Sequence, residues 1–300
     1  MEKYIAFDVG GTKVKHAVVL ENGVIITKGK YNTSCMDLDK FLKDMIDQIE
    51  DYHQQHNIRG IAISMPGFIN VNTGYSETAG AIVVLNGKNL KSLLLERVSI
   101  PVEIENDGNC VALAEKLNGN AIDCESFICV TIGTGIGGGI IINNKVLHGH
   151  TFKGGEFGFM VTQNNSPKKE IWHNNGSTSG LIADYKELKE INTNEIIEGQ
   201  QVFAEAEKDE RVKKLIDEWL KNISNGIFNL VATLNPEKVL IGGGVSAQEI
   251  IIDGLKSHLV QNKNWRILEV PIEICKHKND AGMIGALKHF LDRNSARVNV

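Results

Sequence analysis

Three times in this sequence an apolar run that reads as a buried strand ends in glycines. Ile5-Ala6-Phe7 leads into Asp8-Val9-Gly10-Gly11-Thr12-Lys13, Phe127 to Ile132 leads into Gly133-Thr134-Gly135, and Lys238 to Ile241 ends in Gly242-Gly243-Gly244. Glycine allows positive φ and close backbone approach, so such tips can turn N–H groups toward an anion. The first two tips run on into a second apolar strand, Ala17-Val18-Val19 and Ile140-Ile141-Ile142, which makes each the point of a β-hairpin. A single tip reads first as a tight turn. Three after strand ends, with Thr12 and Thr134 supplying hydroxyls, point to phosphate. No Walker loop occurs, and the first two tips lead into strands rather than helices, so neither is a dinucleotide fingerprint.

Around these tips the chain reads as two units with the same logic. Strands over 4–9, 14–20 and 24–31 precede a helix over 37–56, where Phe41, Leu42, Met45, Ile46 and Ile49 recur at helical spacing. A strand over 59–64 is stopped by Met65-Pro66-Gly67, a helix lies near 89–97, and a strand over 102–104 runs through Glu105-Asn106-Asp107-Gly108-Asn109 into a helix from about Cys110. The second unit opens with the strand at 126–132, its glycine tip over 133–139 and the returning strand. A polar, irregular stretch over 151–175 then gives way to helices near 179–190, 195–207 and 209–234. A strand at 238–241, another at 270–275 and a closing helix to about 291 complete it. The expected fold class is α/β, with one lobe over 1–118 plus 284–300 and the other over 119–283, each a mixed sheet flanked by helices.

Composition narrows the partners. The chain has 300 residues, 42% hydrophobic and 23% charged, enough for two buried cores. A formal charge of −5 argues against a nucleic-acid surface. Five cysteines without a Cys-x-x-Cys pair suit a reducing cytoplasm, and neither a signal segment nor a bilayer-length apolar run is visible. The expectation is a cytoplasmic protein acting on small molecules.

Duplicated lobes, each with a phosphate-gripping hairpin and with a third glycine turn near the nucleotide base, resemble the two-lobed actin-like ATPase (ribonuclease H-like) fold. Within it, the sequence resembles the ROK family of bacterial sugar kinases and repressors over essentially its whole length. Asp8-Val-Gly-Gly-Thr-Lys13 is similar to the first phosphate motif, Ser64-Met-Pro-Gly-Phe-Ile69 to the strand and turn that follow, and Glu105 to Asn109 to the catalytic-acid segment. Thr131 to Gly139 is similar to the second phosphate motif, Gly155-Glu156-Phe-Gly158 to the sugar-binding segment, and Ile241 to Gly244 to the adenosine segment.

The resemblance implies ATP as phosphoryl donor, Mg²⁺ as its companion and a sugar as acceptor. Asp107 would be the base that takes the hydroxyl proton, although an acid there also reads as a helix N-cap. Asn106 and Glu156 would hold sugar hydroxyls, with Gly67, Gly80, His173 and Asn175 around them. Asp8 would act on Mg²⁺ through water. Gly10, Gly11, Thr12, Gly133, Thr134 and Gly135 would hold the phosphates, and Gly243 and Gly244 the adenosine. Lys13 reads equally as added charge or as a solvated strand lysine.

Two departures refine this. Most ROK proteins bind structural zinc through a His and a cysteine cluster, but Phe159 stands at the His position and no cysteine lies between Cys129 and Cys275, so no zinc site is expected. A family glutamate near the sugar's C1 and C2 is replaced by Asn175, and the Trp-containing pattern of the glucokinases is missing around Thr78 to Leu90. This pattern is most similar to the family's β-glucoside kinases, which phosphorylate the 6-hydroxyl of cellobiose and aryl glucosides. N-Acetylmannosamine kinase and glucokinase are the alternatives. A sugar-responsive repressor is disfavoured, because the phosphate motif begins at Asp8 with no helix-turn-helix ahead of it and the net charge is negative; a non-catalytic sugar-binding protein is disfavoured because Asp8, Asp107 and both hairpin tips are retained. Family members are commonly dimers, which makes a homodimer the expectation.

Overall fold

The computed structural model describes residues 1–163, 170–244 and 249–298. They group into two units: Met1–Asp123 with Lys145–Gly154 and Asn279–Val300, and Cys124–Asn144 with Gly155–Lys278.

The first unit is built on a five-stranded sheet in the order Ile25–Asn32, Lys13–Leu20, Lys3–Val9, Ile58–Met65, Val102–Asn106. The first three strands form an antiparallel meander, and Ile58–Met65 and Val102–Asn106 run parallel to Lys3–Val9. Because side chains alternate along a strand, Ile5, Phe7 and Val9 enter one core with Phe41, Leu42, Met45 and Ile49 of the helix Leu38–Gln55. Tyr4 and Ala6 enter another with Met283, Ala286, Leu287 and Phe290 of the closing helix Ala281–Val298. Cover on both faces explains why Tyr4 to Phe7 is a continuous apolar run. Asp37 starts the first helix by accepting from Lys40 N.

Register then lines up four polar residues across the sheet. Lys15 pairs with Asp8, Asp8 with Ser64, and Ser64 with Glu105. Residues in one such row share a face. The row lies near the carboxyl ends of the three parallel strands, where open α/β sheets bind ligands.

In the second unit, Phe127–Ile132 pairs antiparallel with Ile136–Ile142 and parallel with Val239–Gly242, which pairs in turn with Ile272–Ile274. Ile128, Val130 and Ile132 pack with Trp219, Ile223 and Ile227 of the long helix Glu210–Leu234.

The fold class is as expected, with local corrections. The helix after the third parallel strand starts at Asp107, not Cys110, because Asn106 caps it. The second tip is Gly133–Gly135; Gly137–Gly139 belong to the strand, paired with Cys129–Thr131. The closing helix runs to Val298, past Leu291. A small antiparallel sheet of Phe68–Asn70, Tyr75–Thr78 and Lys88–Asn89 was not foreseen, since strands of two to four residues are too short for alternation to show. No helix among the described residues is long and apolar enough to cross a membrane.

The closing helix packs closely on the helix Asp107–Asn118: a Cβ added at Gly285 would fall inside the Cys110 carbonyl. Helix propensity alone makes Gly285→Ala stabilising by about 1 kcal/mol. Overpacking reverses the sign, and we expect a net loss of about 1–3 kcal/mol in urea unfolding. A raised midpoint would show that the helices do not approach this closely.

Candidate active site

The first glycine tip is anchored from behind. Gly10 N donates to Lys13 O (3.0 Å), Thr33 Oγ1 to Gly10 O (2.6 Å), Cys35 Sγ to Gly11 O (2.9 Å) and Thr33 N to Thr12 O (3.0 Å). Gly11, Thr12 and Lys13 are exposed. The tip's carbonyls are thus held by protein while its outer surface is open, as an anion-binding turn requires.

Asp8 lies just inside this tip. Lys15 Nζ donates to its Oδ2 at 3.0 Å and Ser64 Oγ to its Oδ1 at 3.2 Å, while Gly282 at the start of the closing helix leaves no room for a Cβ beside the carboxylate. The sequence reading named Lys13 and missed Lys15. Counting back from the tip would have found it, because the hairpin register that pairs Val9 with Val14 pairs Asp8 with Lys15.

Asn106 and Asp107 form the junction between strand and helix. The Asn106 carboxamide accepts from Asn109 N (3.1 Å) and donates to Gly67 O (3.1 Å), so Asn106 is the N-cap rather than Asp107. Asp107 is the first helical residue, open to solvent at its edge, and its Oδ1 accepts from Gly108 N at 2.8 Å. Partial desolvation of its carboxyl pushes its pKa up from the ordinary 3.8, the Gly108 N–H pulls the other way, and the nearby Asp8 charge adds to the rise. Gly67 holds a φ of +100° at the turn beneath Asn106, and Gly80, at φ +56°, is exposed nearby in the chain's following loop.

Next to them stands a residue the sequence reading did not single out. Glu105 has no exposed surface, yet four donors meet its carboxylate. Asn106 N (2.8 Å) and Asn109 Nδ2 (3.1 Å) donate to Oε1, and the imidazoles of His148 (Nε2, 2.7 Å) and His289 (Nδ1, 3.2 Å) donate to Oε2. Burial pushes its pKa up, but the charge and hydrogen bonds of His289 and His148 outweigh that and hold it well below the ordinary 4.5.

In the second unit the glycine tip is also backed by protein. Gly133 N donates to Gly135 O (3.0 Å), Thr178 N to Gly133 O (2.8 Å) and Ser179 Oγ to Thr134 O. The last two come from the first turn of the helix Thr178–Leu188, capped by Ser177. Thr134 is exposed. The exposed His173 lies against the tip, since a Cβ at Gly135 would come within 2.7 Å of its ring. Glu156 is half-buried at the entry to the single turn Phe157–Phe159. Asn175 is buried and hydrogen-bonded to Thr162 Oγ1 at 2.8 Å, so its amide faces protein. Gly243, at φ +86°, and the exposed Gly244 follow the strand Val239–Gly242. Phe159, at the position where relatives were expected to carry a zinc-binding His, is 64% exposed. Among the described residues no group of three or more His, Cys, Asp or Glu could hold a metal ion.

The model of the ROK family matches residues 4–293. The chain belongs to the ROK family. It is 36% identical over 296 residues to a β-glucoside kinase of Listeria monocytogenes, covering 98% of this chain and 99% of that one. Among solved structures it superposes with a TM-score of 0.89 on a Listeria monocytogenes protein provisionally described as an N-acetylmannosamine kinase, at 36% identity over 97% of this chain and 99% of the other. A ROK family protein from Streptococcus pneumoniae, solved with sucrose, gives 0.88 at 29% identity, covering 98% and 99%.

The Gly67 carbonyl holds the Asn106 amide, and a Cβ at Gly67 would meet the Thr78 backbone in a conformation that L-residues rarely adopt. Gly67→Ala should therefore cost about 1–3 kcal/mol of stability by thermal or urea unfolding. Wild-type stability in this variant would contradict the turn as described.

Proposed function

We propose that the chain is an ATP-dependent kinase that phosphorylates the 6-hydroxyl of a β-glucoside such as cellobiose. The observation that carries the reading is Asp107: an exposed carboxylate that opens a helix at the carboxyl end of a parallel strand, within a family whose similar members are named sugar kinases.

Phosphoryl transfer needs an in-line nucleophile, a proton acceptor and neutralisation of phosphate charge. In this reading the sugar hydroxyl gives its proton to Asp107 as its oxygen bonds to the γ-phosphorus and the bond to the β-phosphate oxygen breaks, releasing ADP. Asn106, whose carboxamide is fixed by Gly67 O and Asn109 N and also bonds the Asp107 carboxylate, keeps a lone-pair position of its amide oxygen with which to accept from a neighbouring hydroxyl. Glu156 and His173 are further sugar contacts, and Gly10–Thr12 and Gly133–Gly135 hold phosphates. Gly243 and Gly244 serve the adenosine. The Asp8 carboxylate, held by the buried Ser64 hydroxyl, is a hard oxygen donor of the kind that fits Mg²⁺ retaining most of its waters. When bound, that ion would neutralise phosphate charge. Lys15, on the same carboxylate, keeps Asp8 oriented.

Two features favour the β-glucoside. The relatives named β-glucoside kinase reach 32–36% identity along nearly the whole chain. Asn175, which takes the place of a carboxylate expected near C1, is turned into protein. The structural similarity to the protein described as an N-acetylmannosamine kinase keeps that hexosamine as the second reading. We further propose a cytoplasmic homodimer, in keeping with five free cysteines and the family's habit.

A coupled ADP-release assay with MgATP against cellobiose, a β-aryl glucoside, glucose and N-acetylmannosamine tests the acceptor. The expected order places the β-glucosides first in kcat/KM; preference for N-acetylmannosamine would replace the acceptor and keep the kinase. Asp107→Asn is expected to lower kcat by about 10²–10⁴-fold with the fold intact. Since the base must be ionised, wild-type activity should fall with decreasing pH through the Asp107 pKa, at a pH above 3.8. A variant with near wild-type turnover would remove Asp107 from this role.

A further inference from the structure

Glu105 lies one residue before the Asn106–Asp107 junction, yet it is wholly buried and cannot meet a substrate. We propose that Glu105 is a positioning residue for that junction and that His148, reaching it from the segment 145–154, is the clamp that keeps its carboxylate in place. The inference rests on the reading of Asp107 as the base.

An ionised carboxylate with no access to water is tolerated when donors saturate it. Here the four donors divide by origin. Oε1 takes its two from the junction itself, the Asn106 amide N–H and the Asn109 side chain one turn along the helix. Oε2 takes its two from distant parts of the chain, His148 and His289. The imidazoles thus set the rotation of the carboxylate, and the carboxylate sets the backbone from which Asn106 and Asp107 project. Among the described residues His289 Nε2 is buried with no hydrogen-bond partner, so Glu105 is where that imidazole makes its bond.

His148 is suited to a clamp and poorly suited to be a core residue. Its side chain is 24% exposed. Its segment is tied down independently, by Gly154 N donating to His148 O at 2.9 Å and by the ion pair of Lys153 with Glu77 at 2.8 Å. Its ring packs on Phe152 with centroids 6.0 Å apart. Replacing the imidazole therefore removes a donor to Glu105 while the loop keeps its other anchors.

The test uses His148→Phe, which keeps a ring against Phe152 but donates nothing, and His148→Gln, whose amide N–H can replace the donor. Amide hydrogen exchange at Asn106 reads the junction without needing activity. In His148→Phe we expect Asn106 exchange to quicken and kcat to fall, each by about tenfold or more, the loss of one charge-assisted hydrogen bond, with KM for MgATP nearly unchanged. In His148→Gln both should return close to wild type. Unchanged Asn106 protection in His148→Phe, or a loss that Gln does not restore, would overturn the proposal. A wild-type protein inactive on every sugar would defeat the kinase reading instead, and the exchange measurement would still decide the role of His148.

Discussion

The functional residues of the first unit depend on strand register, which lines up one transverse row across its sheet, Lys15–Asp8–Ser64–Glu105. Every pairing in that row is a consequence of strand register, and register is held by apolar residues on both faces. Slipping Lys3–Val9 by one residue so that Asp8 took the place of Phe7 would drive a carboxylate into the core of Met45 and force Phe7 into the tight space under the closing helix where Ala6 packs. The burial of a side chain such as Phe7 is worth about 1.5–3 kcal/mol, and each strand carries several. The apolar sheet thus fixes where its polar residues stand, without any of them having to contribute to stability.

The row also separates two ways of handling a carboxylate. Asp8 and Glu105 share a sheet face and are two strands apart. Asp8 is met by Lys15 and Ser64 near an exposed glycine turn, whereas Glu105 is enclosed and saturated by four donors. Asp107, just beyond the row, is exposed and has no cation partner among the described residues, and its pKa moves up where that of Glu105 moves down. Three acids within one short stretch of structure are thereby given different chemistry by their surroundings.

Much of this was legible in residue order. The strand-tip-strand pattern at Asp8–Thr12 and at Thr131–Gly135 identified both hairpins, and the six motifs in sequence identified the family. What was not legible has a common cause. The two imidazole partners of Glu105 lie 43 and 184 residues away, and a Glu at a strand end carries no sign of which imidazoles will reach it. Lys15 follows from the hairpin register, which pairs it with Asp8, whereas Lys13 lies in the glycine motif itself and is exposed. The small sheet around Phe68–Thr78 was hidden because its strands are shorter than one full alternation.

By itself the sequence determined the elements and their order, since hydrophobic period, glycine and caps such as Asp37 act over a few residues. It also determined the family, because motif order along the chain is a one-dimensional property. Tertiary structure alone decided the environment of the side chains whose partners are distant: that Asn106 is tied to Gly67, that Asn175 turns into protein, and that Glu105 is saturated by His148 and His289. The physical reason is that desolvation and charge pairing depend on what surrounds an atom within a few ångströms, and those neighbours come from anywhere in the chain.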